Sequence, residues 1–123
     1  MKILSVDDSK IIRRLVSSMM EIVDHETLEA TNGAEALEVL EKEAPNIAMV
    51  VLDWNMPVMD GLTCLKKIKK HPEWKKIPVM MLTTESQAEK IATALREGAS
   101  NYLTKPFTQE ELIEKVFDTL GLS

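Results

Sequence analysis

Residues 47–53 read IAMVVLD: six apolar residues in a row, three of them β-branched, closed by a carboxylate. A run this short and this continuously apolar fits a strand covered on both faces, the place of a central strand in a parallel sheet. On either side of it four more short runs have strand character, at residues 3–6, 27–30, 78–82 and 101–103. Apolar side chains recur at helical spacing between the runs. They are Ile12, Leu15, Val16, Met19 and Val23, then Ala36, Leu37 and Leu40, then Leu62, Leu65 and Ile68. Ala88, Ile91, Ala92 and Leu95 form a fourth stripe, and Leu112, Val116, Phe117 and Leu120 a fifth. Five strand-then-helix units in succession predict an α/β chain with a doubly wound parallel sheet. The eight methionines then serve as core and groove filler, with no cofactor needed to explain them.

Local signals divide the chain at the same places. Thr108 with Glu111, and Thr84 with Gln87, have the capping-box spacing; Asp60 stands before Gly61 as an N-cap, and Gly98 suits a left-handed helix end. Pro72 and Pro78 bracket a loop that carries Trp74. With 123 residues the chain has the size of one domain, residues 1–123. Hydrophobic residues at 45% and charged residues at 28% set it apart from disordered chains, which lack the apolar surface to offset the entropy of ordering.

A formal net charge of -5 disfavours nucleic acid and anionic lipid as partners. Lys66, Lys67, Lys69 and Lys70, followed by Lys75 and Lys76, read as a solvated helical stripe. Cys64 is the single cysteine, so it has no partner for a disulfide or a zinc site. The apolar run at the start is too short for a signal peptide, and no stretch reaches the length of a membrane span. These features predict a cytoplasmic protein without membrane attachment. His25 and His71 stand alone and read as surface or loop residues.

Chemistry enters at the strand ends. Asp7 and Asp8 close the first strand and Asp53 the third, and in a right-handed doubly wound sheet these strands are neighbours whose carboxyl ends form the ligand-binding edge. Three converging carboxylates repel one another unless a hard divalent cation neutralises them, and Mg²⁺ prefers such oxygen donors. A carboxylate capping a six-residue apolar strand is a costly ending that stability seldom explains. Lys105, just before Pro106, and Thr83, at the end of the fourth strand, can face the same edge and cradle a tetrahedral anion.

This combination, VDDS around Asp7 and Asp8, LDWNMPVMDG around Asp53, MLTTE around Thr83 and YLTKPF around Lys105 and Pro106, resembles the receiver domains of two-component response regulators, at the family's spacing over essentially the whole chain. The resemblance implies a flavodoxin-like (βα)5 fold, a doubly wound parallel five-stranded sheet in the strand order 2-1-3-4-5. It implies Asp53 as phosphoacceptor, Asp8 and Asp53 as direct ligands of Mg²⁺ (with Mn²⁺ as a substitute), Asp7 as a ligand through water and Asn55 as one through its backbone carbonyl. Lys105 and Thr83 would bind the phosphoryl group, Thr83 and Tyr102 would form the switch, and Asn55 and Glu85 would set the signal lifetime. A cis peptide between Lys105 and Pro106 is part of the pattern, and Gly61 matches the glycine of the loop after the acceptor strand. Thr84 departs from it, because receivers most often carry a smaller residue there, and it can restrict the motion of Tyr102.

Among receivers the sequence is most similar to single-domain chemotaxis regulators, since it ends with its fifth helix and residues 121–123. The partners this implies are a sensor histidine kinase, a phosphatase, and a flagellar motor switch or other output protein at the surface of the fourth helix, fifth strand and fifth helix. A monomer is expected, one that promotes only its own phosphorylation and dephosphorylation and is not otherwise an enzyme. A phosphorelay shuttle feeding a histidine phosphotransfer protein is the alternative within the family. An aspartyl-phosphate phosphatase would want a carboxylate where Asn55 stands, to protonate the leaving group. A flavin carrier would want a hydroxyl- and glycine-rich loop in place of the acidic VDDSK.

Overall fold

In the computed structural model, which describes residues 1–121, the run that closes with Asp53 forms strand β3 (Ile47–Leu52). It lies between β1 (Lys2–Val6) and β4 (Val79–Thr83), with β2 (Glu26–Ala30) and β5 (Asn101–Thr104) at the edges. The order is β2-β1-β3-β4-β5 and every pairing is parallel, the flavodoxin-like arrangement. Strand bounds differ from the sequence reading by a residue at some ends; β4 starts after Pro78, which has no N–H to give a ladder. Of residues 121–123, the last two lie outside the described residues.

Helices α1 (Lys10–Ile22), α2 (Gly33–Glu43), α3 (Gly61–Lys70), α4 (Ala88–Arg96) and α5 (Gln109–Leu120) follow the five strands, with a short 3-10 turn (Ala44–Asn46) before β3. Alternate strand residues build two cores, as the two-residue period of a strand requires. Leu4, Val6, Val50, Leu52, Val79 and Met81 face α2, α3 and α4, whereas Ile3, Met49, Val51, Met80 and Leu82 face α1 and α5. Met19, Met20, Met49, Met80 and Met81 are buried, so most methionines do fill core.

Helix starts follow the side chains at hand. Asp60 accepts from the Thr63 amide at 2.8 Å, and Thr108 and Glu111 close a full capping box. The box expected from Thr84 and Gln87 does not form: Gln87 is the N-cap of α4 and makes no side-chain cap bond. Helix α4 also turns a different face inward than its stripe suggests. Ala94 is its only buried residue, while Ala88, Ala92 and Leu95 are exposed and Ile91 is half-buried. A helix of nine residues over the sheet edge has room for one close contact, and the small Ala94 makes it. The lysine stripe needs one correction as well. Lys69 is half-buried and its ammonium donates to the carbonyls of Ile77 (2.6 Å) and Lys75 (3.1 Å), so it ties down the α3–β4 loop and burial lowers its pKa.

Candidate functional site

The sheet ladder runs past the strands into the acidic residues, since the Asp7 amide donates to the Ala30 carbonyl (3.1 Å) and the Asp53 amide to the Val6 carbonyl (2.9 Å). Register alone therefore brings Asp7 and Asp53 to one edge. Their carboxylate oxygens and one from Asp8 lie within 4.8 Å of one another. Asp7 and Asp53 are buried and Asp8 is exposed, so the cluster has a closed floor and an open side. The donors are all carboxylate oxygens, a set that suits a hard cation which keeps part of its water shell. Mg²⁺ fits the residues present.

Lys105 spans the cluster, donating to Asp7 Oδ2 at 2.7 Å with Asp53 Oδ2 at 3.5 Å. Burial pushes the Asp53 carboxyl above its ordinary pKa, and the charge of Asp7 raises it further. Lys105, the Thr83 hydroxyl and the Trp54 amide, which donates to Oδ1 at 2.8 Å, pull the other way. The ammonium sits closer to Asp7, which leaves Asp53 with the weaker share of its attraction. Thr83 is fully buried at the end of β4, and the Lys105–Pro106 peptide is cis.

The remaining residues singled out by the sequence meet at Glu85. Its carboxylate accepts from Asn55 Nδ2 at 3.1 Å, its amide donates to Thr83 Oγ1 at 3.3 Å, and its carbonyl accepts from the Tyr102 hydroxyl at 2.6 Å. The resemblance gives Tyr102 to the switch. Here its ring is already half-buried against the core, held by that hydroxyl bond, and burial with the charges of Glu85 and Asp53 pushes the phenol up to about 12. Thr84 is exposed. His25 and His71 lie away from the acidic cluster; His71 instead stacks on Trp74 with ring centroids 3.7 Å apart.

One residue escaped the sequence reading. Arg13 on α1 donates to the Asp7 backbone carbonyl at 2.7 Å and to Glu29 Oε1 on β2 at 2.8 Å. It pins the strand-end peptide that carries Asp7 and Asp8. A charged residue on a helix face gives no hint of such a bond without the pairing of β1 with β2. The structure also gives Gly61 a reason: a Cβ there would collide with the Asp53 carbonyl oxygen.

A five-stranded 2-1-3-4-5 sheet with two acids after β1, one after β3 and a lysine after β5 defines a receiver architecture, and residues 3–117 match the response regulator receiver domain family. The chain belongs to that family. It is 40% identical over 122 residues to a chemotaxis protein CheY homolog of Campylobacter jejuni, covering 98% of this chain and 93% of that one. It is 42% identical to chemotaxis protein CheY1 of Helicobacter pylori, covering 98% of both. Among solved structures it superposes on Vibrio cholerae chemotaxis protein CheY4 with a TM-score of 0.88 at 36% identity, over 96% of this chain and 97% of that one. A CheX-CheY-BeF3-Mg²⁺ complex from Borrelia burgdorferi gives 0.90 at 28% identity, over 95% and 87% of the respective chains. Among the described residues no helix is long and apolar enough to cross a membrane.

Proposed function

We propose that the chain is a cytoplasmic single-domain response regulator that takes a phosphoryl group from a sensor histidine kinase onto Asp53 and signals in chemotaxis. The observation that supports this most is the buried Asp53 carboxylate at the end of β3, within 4.8 Å of two other acids and 3.5 Å from the Lys105 ammonium. Asp8, Asp53 and the Asn55 backbone carbonyl would hold Mg²⁺, with Asp7 acting through water. When bound, Mg²⁺ supplies positive charge that offsets the crowded carboxylates and the phosphoryl oxygens.

An Asp53 carboxylate oxygen attacks phosphorus in line with the P–N bond of the donor phosphohistidine. The P–O bond forms, the P–N bond breaks, and the imidazole nitrogen leaves with the electron pair and takes up a proton. Lys105 pairs with the new phosphoryl oxygens, and the Thr83 hydroxyl donates to one of them. The added charge of about -1.5 to -2 then draws on the Glu85 hub. Asn55 and Glu85 stand at the rim and govern how readily water reaches the acyl phosphate. Glu85 holds the Tyr102 hydroxyl, so a shift in Thr83 reaches the α4–β5–α5 surface that an output partner would read. Beyond adding and losing this group, the chain catalyses no reaction on a separate substrate.

Intact-mass measurement after treatment with a small acyl-phosphate donor and Mg²⁺ tests the reading. The expected result is one added phosphoryl group, absent with a chelator and absent in Asp53→Asn. Uptake by Asp53→Asn, or none by the unaltered chain, would refute it.

A further inference from the structure

Val58 combines two unfavourable properties. Its φ is +68°, in the left-handed region, and it is 83% exposed, the highest value among the large apolar residues described. The Met59 amide donates back to the Pro57 carbonyl at 2.7 Å across it, the three-residue turn with a positive central φ that is rare and strained. A β-branched residue there is a true outlier, whereas Asn, Asp or Gly would sit with little strain. Among the described residues the other non-glycine position with positive φ is Asp24, a type that tolerates it.

The fold explains the backbone and leaves the side chain unexplained. The loop of residues 54–60 is closed at its base by the Gly61 amide on the Trp54 carbonyl (2.8 Å), and the Met59 carbonyl is tied to the Gly33 amide at the start of α2 (3.1 Å). Met56 and Met59 turn in against the core, which forces the chain between them outward through a tight turn. Nothing in that geometry calls for valine. A strained conformation that gains no packing points to a contact made outside the molecule.

We infer that Val58 is a docking contact for the protein that presents phosphohistidine to Asp53. The inference rests on the function proposed above. The loop starts at Asp53 itself, so a macromolecule that carries its phosphoryl group on a side chain must lie over this rim. A small phosphodonor reaches Asp53 without touching Val58. Burying one valine side chain in such a complex favours the protein donor by about tenfold, and the small donor gains nothing.

The test uses V58N and V58G in the full chain, with I22N as an apolar-to-polar control, since Ile22 is 62% exposed at the far end of α1. The donors are acetyl phosphate and the phosphorylated histidine domain of a chemotaxis kinase chosen because it phosphorylates the unaltered chain. Both Val58 variants are expected to melt a few degrees higher, to keep the acetyl phosphate rate, and to lose about tenfold in kcat/KM with the protein donor; I22N keeps both rates. Equal loss with both donors, no loss with either, or weaker binding only to an output protein or phosphatase would overturn the inference, and a lower melting temperature would overturn its premise of strain. If acetyl phosphate fails to modify the unaltered chain, the phosphoacceptor reading fails first, a separate result.

Discussion

Replacing Asp53 by Asn isolates the electrostatic cost of the acidic cluster. Asp53 is 5% exposed, with carboxylate oxygens of Asp7 and Asp8 within 4.8 Å and the Lys105 ammonium at 3.5 Å but closer to Asp7. Unit charges 4 Å apart interact by about 4 kcal/mol at an effective permittivity of 20. Two acids against one shared ammonium, together with burial, leave a remainder of about 1 kcal/mol that destabilises the ion-free protein. Unfolding entropy of about 2.1 cal/mol/K per residue, over this chain, converts that to a rise in melting temperature of about 4 °C for Asp53→Asn. The assay is calorimetry or circular dichroism in a chelator at pH 7. The folded pKa of Asp53 lies above the unfolded value of 3.8, so the penalty grows as pH rises through the folded pKa and vanishes below the unfolded one. The gap between the two proteins should therefore narrow as pH falls toward 3.8. With saturating Mg²⁺ the unaltered chain should gain more than the variant, because binding to the folded state alone stabilises it. An unchanged or lower melting temperature for Asp53→Asn in chelator would show that the ion-free acidic cluster carries no such cost.

Arg13→Gln should cost about 2 kcal/mol by removing a charge-assisted bond to the Asp7 carbonyl. It should also weaken Mg²⁺ binding several-fold, read from Trp54 fluorescence; unaltered affinity would show that Arg13 does not position the acids. Gly61→Ala should cost about 3 kcal/mol or more, since the new Cβ must displace the Asp53 carbonyl, and urea unfolding with an unchanged m-value measures it. Cys64 is buried and its thiol is pushed up to about 12, by burial first and by Asp60 second. Its reaction with a thiol reagent near pH 8 should proceed no faster than global unfolding, and prompt labelling would contradict this.

Strands and acids were legible for one reason. An apolar run such as residues 47–52 admits few structures, and a charge at its end has few places to go. The same logic places Asp7, Asp8, Asp53, Thr83 and Lys105 at one edge. It failed where the deciding contact was long-range. The inward face of α4 depends on its seat at the sheet edge, which the short stripe of Ile91 and Leu95 does not encode. Thr84 stands where a cap was expected, yet α4 starts three residues later with Gln87 as its N-cap, because the chain leaving Thr83 is held by Glu85. The bond from Arg13 to Asp7 joins a helix to a strand end, and the half-buried Tyr102 depends on a carbonyl that only the folded loop presents. Local sequence carries no record of either.

The proposed function requires that folding gather a divalent ion at the Asp53 carboxylate. Its most direct test is anomalous diffraction from a crystal of this chain soaked in Mn²⁺. One strong peak is expected within bonding distance of the Asp8 and Asp53 carboxylates and the Asn55 carbonyl oxygen. No peak among these groups, or an ion bound with Asp53 turned away from it, would contradict this requirement.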